Sequence, residues 1–315
     1  MSKIGRKRIG LALGSGGARG WAHLGVVEVL RESGIPVKYV AGTSMGSLVG
    51  AAFASGTTDT LRQVALEMDW RHFLHYFIEM GLPKAGLIDG ARIVKFLKEN
   101  IGSANIEDLR LPFAAVATDI ESGEEIVFRQ GSLSDAVRAS IAIPGIFTPL
   151  AARGHMFVDG GLVNPLPVSV AREMGADFVI AVDVLRPPQP REARESRRAK
   201  PGHPHVSRSL NDTLSAATAD WLRKINEKIR SFDFPGLSEI RQKHRRELPG
   251  VFDVLGNSIR IVEQQITRTR LKLEPPDILI QPAVQNISTM EFHRAAEAIE
   301  DGYAAAAEAL KSLRG

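Results

Sequence analysis

Residues 8 to 50 read RIGLALGSGGARGWAHLGVVEVLRESGIPVKYVAGTSMGSLVG, and the fold turns on how this stretch divides. Residues 8 to 13 (RIGLAL) form a short apolar run, the pattern of a buried strand. GSGGARG follows over 14 to 20. From 21 to 33 the apolar residues Leu24, Val27 and Leu30 recur at helical spacing with Val26 and Val29 beside them; Gly34 and Pro36 end that helix. Residues 37 to 41 make a second strand, and GTSMGSLVGAAFA turns from it into a second helix. Strand, helix, strand, helix predicts parallel strands with helices packed on both faces of the sheet.

Further on, residues 58 to 102 read as helices interrupted at Gly81, Pro83 and Gly86. Strands are predicted over 113 to 120 and 124 to 129, joined by the turn at Glu121, Ser122 and Gly123. A helix over 133 to 141 stops before Pro144, and a short strand over 155 to 158 ends at Asp159, Gly160 and Gly161. A helix over 167 to 174 leads into a strand over 177 to 184. Residues 186 to 208 are rich in Pro, Arg and Lys without large apolar side chains, which reads as a disordered or loosely held loop. Leu214, Trp221, Ile225, Ile229 and Phe232 then mark a helical stripe, and RQKHRR at 241 to 246 is basic again. The chain closes with a helix over 251 to 273, a strand over 277 to 281 and an alanine-rich helix over 289 to 313. The expected organisation is one domain, with a core over about 8 to 185 and 252 to 315 and a basic insertion over about 186 to 250.

The bulk composition fits a globular chain: 315 residues, 44% hydrophobic and 24% charged. A net charge of +4 leans toward anionic surfaces and decides nothing alone. With no cysteine, disulfides, zinc–thiolate sites and thiol catalysis are excluded. The basic N-terminus MSKIGRKRIG leads into a stretch too short and too glycine-rich for a signal sequence, and no apolar run has membrane-spanning length. A cytoplasmic protein able to sit on a membrane without crossing it is expected.

Gly42, Thr43, Ser44, Met45 and Gly46 fit G-x-S-x-G. Alone the pattern is weak, because a serine N-cap on a helix packed through small residues looks the same. Its position between a strand and a helix is what a nucleophile elbow needs; Gly42 and Gly46 leave room where a Cβ would clash as the chain folds back. A serine hydroxyl then needs a base. His23, His72 and His75 lie beside helical stretches, His203, His205 and His244 in the basic segment, and His293 on the last helix. Only His155 lies near another candidate, four residues before Asp159. Asp159, at a strand end before two glycines, can face a site with little steric cover; the plainer alternative is an Asp-Gly turn bonded to its own backbone. Its carboxylate becomes a useful base if burial raises its pKa.

The loop from Gly14 to Gly20 gathers backbone N–H groups at a helix N-terminus, where negative charge is favoured. A dinucleotide fingerprint fails at Arg19, which stands where the third glycine belongs; the second strand also lacks a terminal acidic residue. A P-loop fails for want of a lysine. The remaining use is an oxyanion hole built on the N–H groups of Gly16 and Gly17. If the two strands are neighbours, this loop and Ser44 share the carboxyl end of the sheet.

GSGGARG, GTSMG and DGG, in this order, resemble the motifs of the patatin-like phospholipases, most closely the bacterial proteins related to neuropathy target esterase. ASIAIPGIFTPL before the DGG is also similar to the family pattern. The resemblance spans roughly 8 to 185, with a weaker tail over 252 to 315. It implies a three-layer α/β fold with a mostly parallel central sheet, and a Ser–Asp dyad without histidine: Ser44 as nucleophile and Asp159 as base. It implies an oxyanion loop containing Gly16, Gly17 and Ala18, closed by the basic Arg19, and no metal ion or other cofactor. Ser15 departs from the family loop, which often has glycine there. The activity implied is hydrolysis of phospholipid or lysophospholipid acyl esters.

Between 186 and 250, Arg223, Lys224, Lys228 and Arg230 alternate with the apolar stripe. A basic amphipathic helix carrying Trp221 and Phe232 could lie on an anionic bilayer, giving peripheral membrane contact. It could equally pack on the core with its charged face solvated. Nucleic-acid binding is not expected, because no aromatic platform or recognised module accompanies the charge. Two other functions compete with the lipid hydrolase: a regulatory or adaptor protein acting through the insertion, and a general carboxylesterase for neutral esters.

Overall fold

The computed structural model describes residues 7–67, 91–101, 105–152, 154–187 and 251–313. Expectations for the breaks at Gly81, Pro83 and Gly86, and for the insertion from residue 188 to 250, lie outside the described residues.

The chain opens with β1 (Ile9–Leu13), a short 3-10 turn (Gly17–Trp21) and α1 (Ala22–Glu32). Next come β2 (Val37–Thr43), α2 (Met45–Ser55), α3 (Thr58–Glu67) and α4 (Ala91–Ile101). β3 (Phe113–Asp119), β4 (Glu125–Phe128), α5 (Leu133–Ser140), β5 (Leu150–Ala152) and β6 (His155–Asp159) follow. α6 (Val168–Glu173), β7 (Phe178–Val182), α7 (Val251–Leu273), β8 (Ile278–Ile280) and α8 (Ala295–Ala309) complete it.

All eight strands join one sheet along the path β5-β6-β3-β2-β1-β7-β8, with β4 also on β3. The pairs β1–β2, β1–β7, β2–β3 and β7–β8 are parallel; β4, β5 and β6 pair antiparallel. Successive side chains of a strand face opposite sides of the sheet, and the two faces are filled differently here. Ile9, Leu11 and Leu13 of β1 join Phe113, Ala115, Ile180 and Val182 in the larger core, against α1, α2 and α8. Ala12 joins Ala41, Ala114, Val179 and Ala181 on the opposite face, against Val168, Val170 and Ala171 of α6. Helices therefore cover both faces, as the strand–helix alternation predicts.

One strand escapes the sequence reading and one boundary is corrected. The three-residue β5 carries no alternation to reveal it, and it pairs Leu150 with Phe157 of β6. The last helix starts at Ala295 rather than near Thr289, after a 3-10 turn at Phe292–Arg294. Residues before it serve the first strand's loop instead: Thr289 contributes its carbonyl to the Ala18 N–H, and Phe292 packs edge-on against Trp21.

The register of β3 brings the two motif residues together. Val116 pairs with Thr43 of β2 and with Val127 of β4, so those strands lie on opposite edges of β3. Ala117 pairs with Ile126 of β4 and with Asp159 of β6, so β6 occupies the edge that β2 leaves as it turns at Ser44. Thr43 and Asp159 thus stand opposite consecutive residues of one strand.

Candidate active site

Ser44 sits between β2 and α2 with φ 55 and ψ −126, the one non-glycine residue with positive φ among the described residues. Such a conformation costs on the order of 1–3 kcal/mol and persists only where surroundings enforce it. The enforcement is visible. A Cβ on Gly42 would lie 2.4 Å from the Gly46 carbonyl oxygen, and one on Gly46 would lie 2.1 Å from the Leu13 carbonyl oxygen. Only glycine at both positions lets the turn close this tightly. The Ser44 amide donates to Ser140 Oγ at 2.9 Å, and Ser140 Oγ in turn donates to the Val116 carbonyl at 2.6 Å.

The Ser44 hydroxyl donates to Asp159 Oδ2 at 2.6 Å, and both side chains are buried. Asp159 Oδ1 accepts the Gly161 N–H at 2.8 Å. Its own amide donates to the Ala142 carbonyl and its carbonyl accepts from Thr118 Oγ1, which pins the residue from both sides. Burial pushes the Asp159 carboxyl up to about 7, against the opposing hydrogen bonds from Ser44 and Gly161. The aspartate therefore does more than the Asp-Gly turn alternative requires: one oxygen caps the turn and the other faces the serine. His155 is not part of this contact. Its Nδ1 meets Asp119 Oδ2 at 2.6 Å, with the imidazole more than half exposed.

The glycine loop lies at the same end of the sheet. Gly17 has φ 56, and a Cβ there would lie 2.6 Å from the Thr289 carbonyl oxygen. The Ala18 amide is engaged by that oxygen at 2.9 Å, whereas the Gly16 and Gly17 amides have no acceptor among the described residues. Arg19 is buried in the turn, reaching Thr289 Oγ1 at 3.4 Å; desolvation lowers its guanidinium to about 10. Beneath the loop, buried His23 meets the Gly14 carbonyl through Nε2 at 2.8 Å, and desolvation holds its imidazole down to about 4, hence neutral.

One acidic residue in this cluster was not among the sequence candidates. Glu263 of α7 is buried and accepts the Ser15 hydroxyl on Oε1 at 2.9 Å. Burial, with the Asp159 charge second, pushes its carboxyl up to about 8. The signal was faint: Leu255, Ile259, Glu263 and Thr267 fall at four-residue intervals, so a carboxylate stands on an otherwise inward-facing stripe.

One family model and three relatives are similar to this chain in sequence. A family model described as Patatin-like phospholipase matches residues 11–172. An uncharacterized NTE family protein of Mycobacterium tuberculosis is 32% identical, over 97% of this chain and 92% of its own. Lysophospholipase NTE1 of Pyricularia oryzae is 29% identical over 98% of this chain but only 19% of its own length. Patatin-like phospholipase domain-containing protein 6 of Homo sapiens is 40% identical over 56% of this chain and 13% of its own.

Proposed function

Because the chain belongs to the patatin-like phospholipase family, we propose that it is a serine acyl hydrolase cleaving fatty-acyl esters of phospholipids or lysophospholipids. Ser44 is its nucleophile, Asp159 its base, and the Gly16 and Gly17 amides its oxyanion donors. The observation that carries this reading is the 2.6 Å hydrogen bond from a strained serine to a buried carboxylate of raised proton affinity. The name of the Pyricularia relative supports lysophospholipids as the first substrates to test.

In the reaction, Ser44 Oγ attacks the ester carbonyl carbon as its proton passes to Asp159 Oδ2. The carbonyl oxygen gains the negative charge and accepts from Gly16 and Gly17. The tetrahedral intermediate collapses, the C–O bond to the alcohol breaks, and Asp159 returns the proton to the leaving oxygen. Water then attacks the acyl-enzyme with Asp159 again taking the proton, and fatty acid leaves as the Ser44 hydroxyl is restored. A carboxylate of ordinary acidity would hold a proton too weakly to serve both steps, and burial corrects that. Gly161 holds the carboxylate in line, and Ser140 fixes the elbow amide.

The test is fatty-acid release, read by mass spectrometry, from lysophosphatidylcholine and from diacylphospholipid vesicles. Ser44→Ala should fall to background, and Asp159→Asn should lose about 10²–10⁴ in turnover. Full activity in Asp159→Asn would refute the dyad. Labelling by a fluorophosphonate separates the enzyme from the adaptor, which would leave Ser44 unlabelled. Among the described residues no helix is long and apolar enough to cross a membrane. A cytoplasmic protein that touches anionic membrane through 186 to 250 is the matching proposal for location. Deleting 190 to 248 should then reduce binding to anionic vesicles, and unchanged binding would remove the membrane role.

A further inference from the structure

Asp159 is not the only carboxyl group enclosed at this end of the sheet. A Cβ placed on Gly161 would lie 2.0 Å from Glu263 Oε1 and 3.1 Å from Asp159 Oδ1, so the two carboxyls flank one small volume that only glycine leaves open. Glu263 comes from α7, which also donates Gln264 Nε2 to the Leu185 carbonyl at 2.6 Å and holds Glu125 through Arg270 at 2.9 Å. The helix is thus tied to the segment after β7 and to β4, which limits how far its carboxyl can move. The same oxygen, Oε1, accepts the Ser15 hydroxyl, and Ser15 immediately precedes Gly16 in the glycine loop.

Two anions this close in a buried site cannot both form readily. The charged groups facing Glu263 are Asp159 from β6, Arg19 from the glycine loop, and Arg260 one turn back on its own helix, with Ser15 the neutral donor. Asp159 opposes its ionisation; Ser15, Arg19 and Arg260 favour it. Arg19 in turn faces Glu291.

We propose that Glu263 is a positioning residue that acts through Ser15 and Asp159: neutral, it docks the glycine loop and leaves the oxyanion subsite free of facing negative charge; ionised, it opposes the charge that develops there. This rests on the dyad assigned under Proposed function. The two carboxyls then titrate as a coupled pair. Loss of the first proton, mainly from Asp159, switches the base on. Loss of the second, mainly from Glu263, places an anion beside the forming oxyanion and slows attack. The rate of serine modification is therefore bell-shaped in pH, with Asp159 setting the acid limb and Glu263 the alkaline limb.

The experiment measures the second-order rate of Ser44 labelling by an uncharged aryl fluorophosphonate from pH 5.5 to 10, on the full chain. That probe places a developing negative oxygen where an ester would and needs no knowledge of the lipid. Wild type should show a bell whose alkaline limb falls about tenfold per pH unit. Glu263→Gln keeps an acceptor for Ser15 and cannot ionise, so its alkaline limb should become a plateau while the acid limb stays in place. An unchanged alkaline limb in Glu263→Gln overturns the proposal. Should that variant fail to fold, Ser15→Ala supplies the second reading. Loss of a hydrogen bond that favours the ionised carboxylate should move the alkaline limb to higher pH, and an unmoved limb overturns the proposal equally. A wild type that takes no label at any pH would instead refute the nucleophile assignment itself.

Discussion

Replacing Asp159 by Asn should yield a protein that is both severely impaired in ester hydrolysis and more stable at alkaline pH. Asparagine keeps an acceptor for the Gly161 N–H, which Asp159 takes at 2.8 Å, and places an amide where the carboxylate accepts the Ser44 hydroxyl. The proposed base is lost while the shape is retained. The stability effect follows from burial. The carboxyl rises from an ordinary 3.8 to about 7 in the fold. An acid whose folded pKa is raised binds its proton more tightly in the folded state. Folding is therefore undisturbed below the unfolded pKa and loses stability as pH climbs from about 4 through about 7. At 1.36 kcal/mol per pH unit, the ionised form is penalised by about 4 kcal/mol at pH 8. Asparagine is neutral throughout and escapes this penalty, an increment worth roughly 5–10 °C in Tm. Thermal unfolding by circular dichroism at pH 4 and pH 8, run beside fluorophosphonate labelling, checks it. The gain should be present at pH 8 and vanish near pH 4. A variant less stable than wild type at pH 8, or stabilised equally at both, would refute the claim that the site stores an unfavourable charge.

Two further outcomes are expected elsewhere. Ser140→Ala leaves the buried Ser44 amide without its acceptor; denaturant titration should show a loss of about 1–3 kcal/mol, and Ser44 labelling should slow because the elbow is no longer pinned. His23 is held neutral down to about 4 from an ordinary 6.5, so its contribution is complete above pH 6.5 and lost as pH falls toward 4. His23→Gln should therefore show a smaller fall in Tm than wild type between pH 6.5 and 4; parallel curves would refute this.

The parts of the site that sequence reading reaches are those encoded by local constraint. Gly42 and Gly46 must be small because the Gly46 and Leu13 carbonyls approach them, and that necessity is written in the motif. The alternation of strand and helix likewise implies that Ser44 and the glycine loop share one end of the sheet, and β1 and β2 are indeed parallel neighbours. What brings Asp159 to Ser44 is different in kind. β6 fills the edge of β3 that β2 vacates, a matter of how two strands far apart in sequence register on a third. Glu263 is harder still. The sequence predicts a helix over 251 to 273 and the structure has one, but whether one carboxylate on that helix meets solvent or Ser15 depends on the surface it lands on. Ser15 itself, noticed only as a departure from the glycine of similar loops, acquires a partner once α7 is in view.

The glycine loop is held by residues that lie far downstream of it in the chain. Arg19 reaches Thr289 across 270 residues, the same residue takes the Ala18 amide, and Ser15 waits for Glu263. A nascent chain that has emerged only as far as β7 already contains the serine and the aspartate, yet lacks the struts of the glycine loop. The loop therefore takes its final shape only after residue 289 has been made.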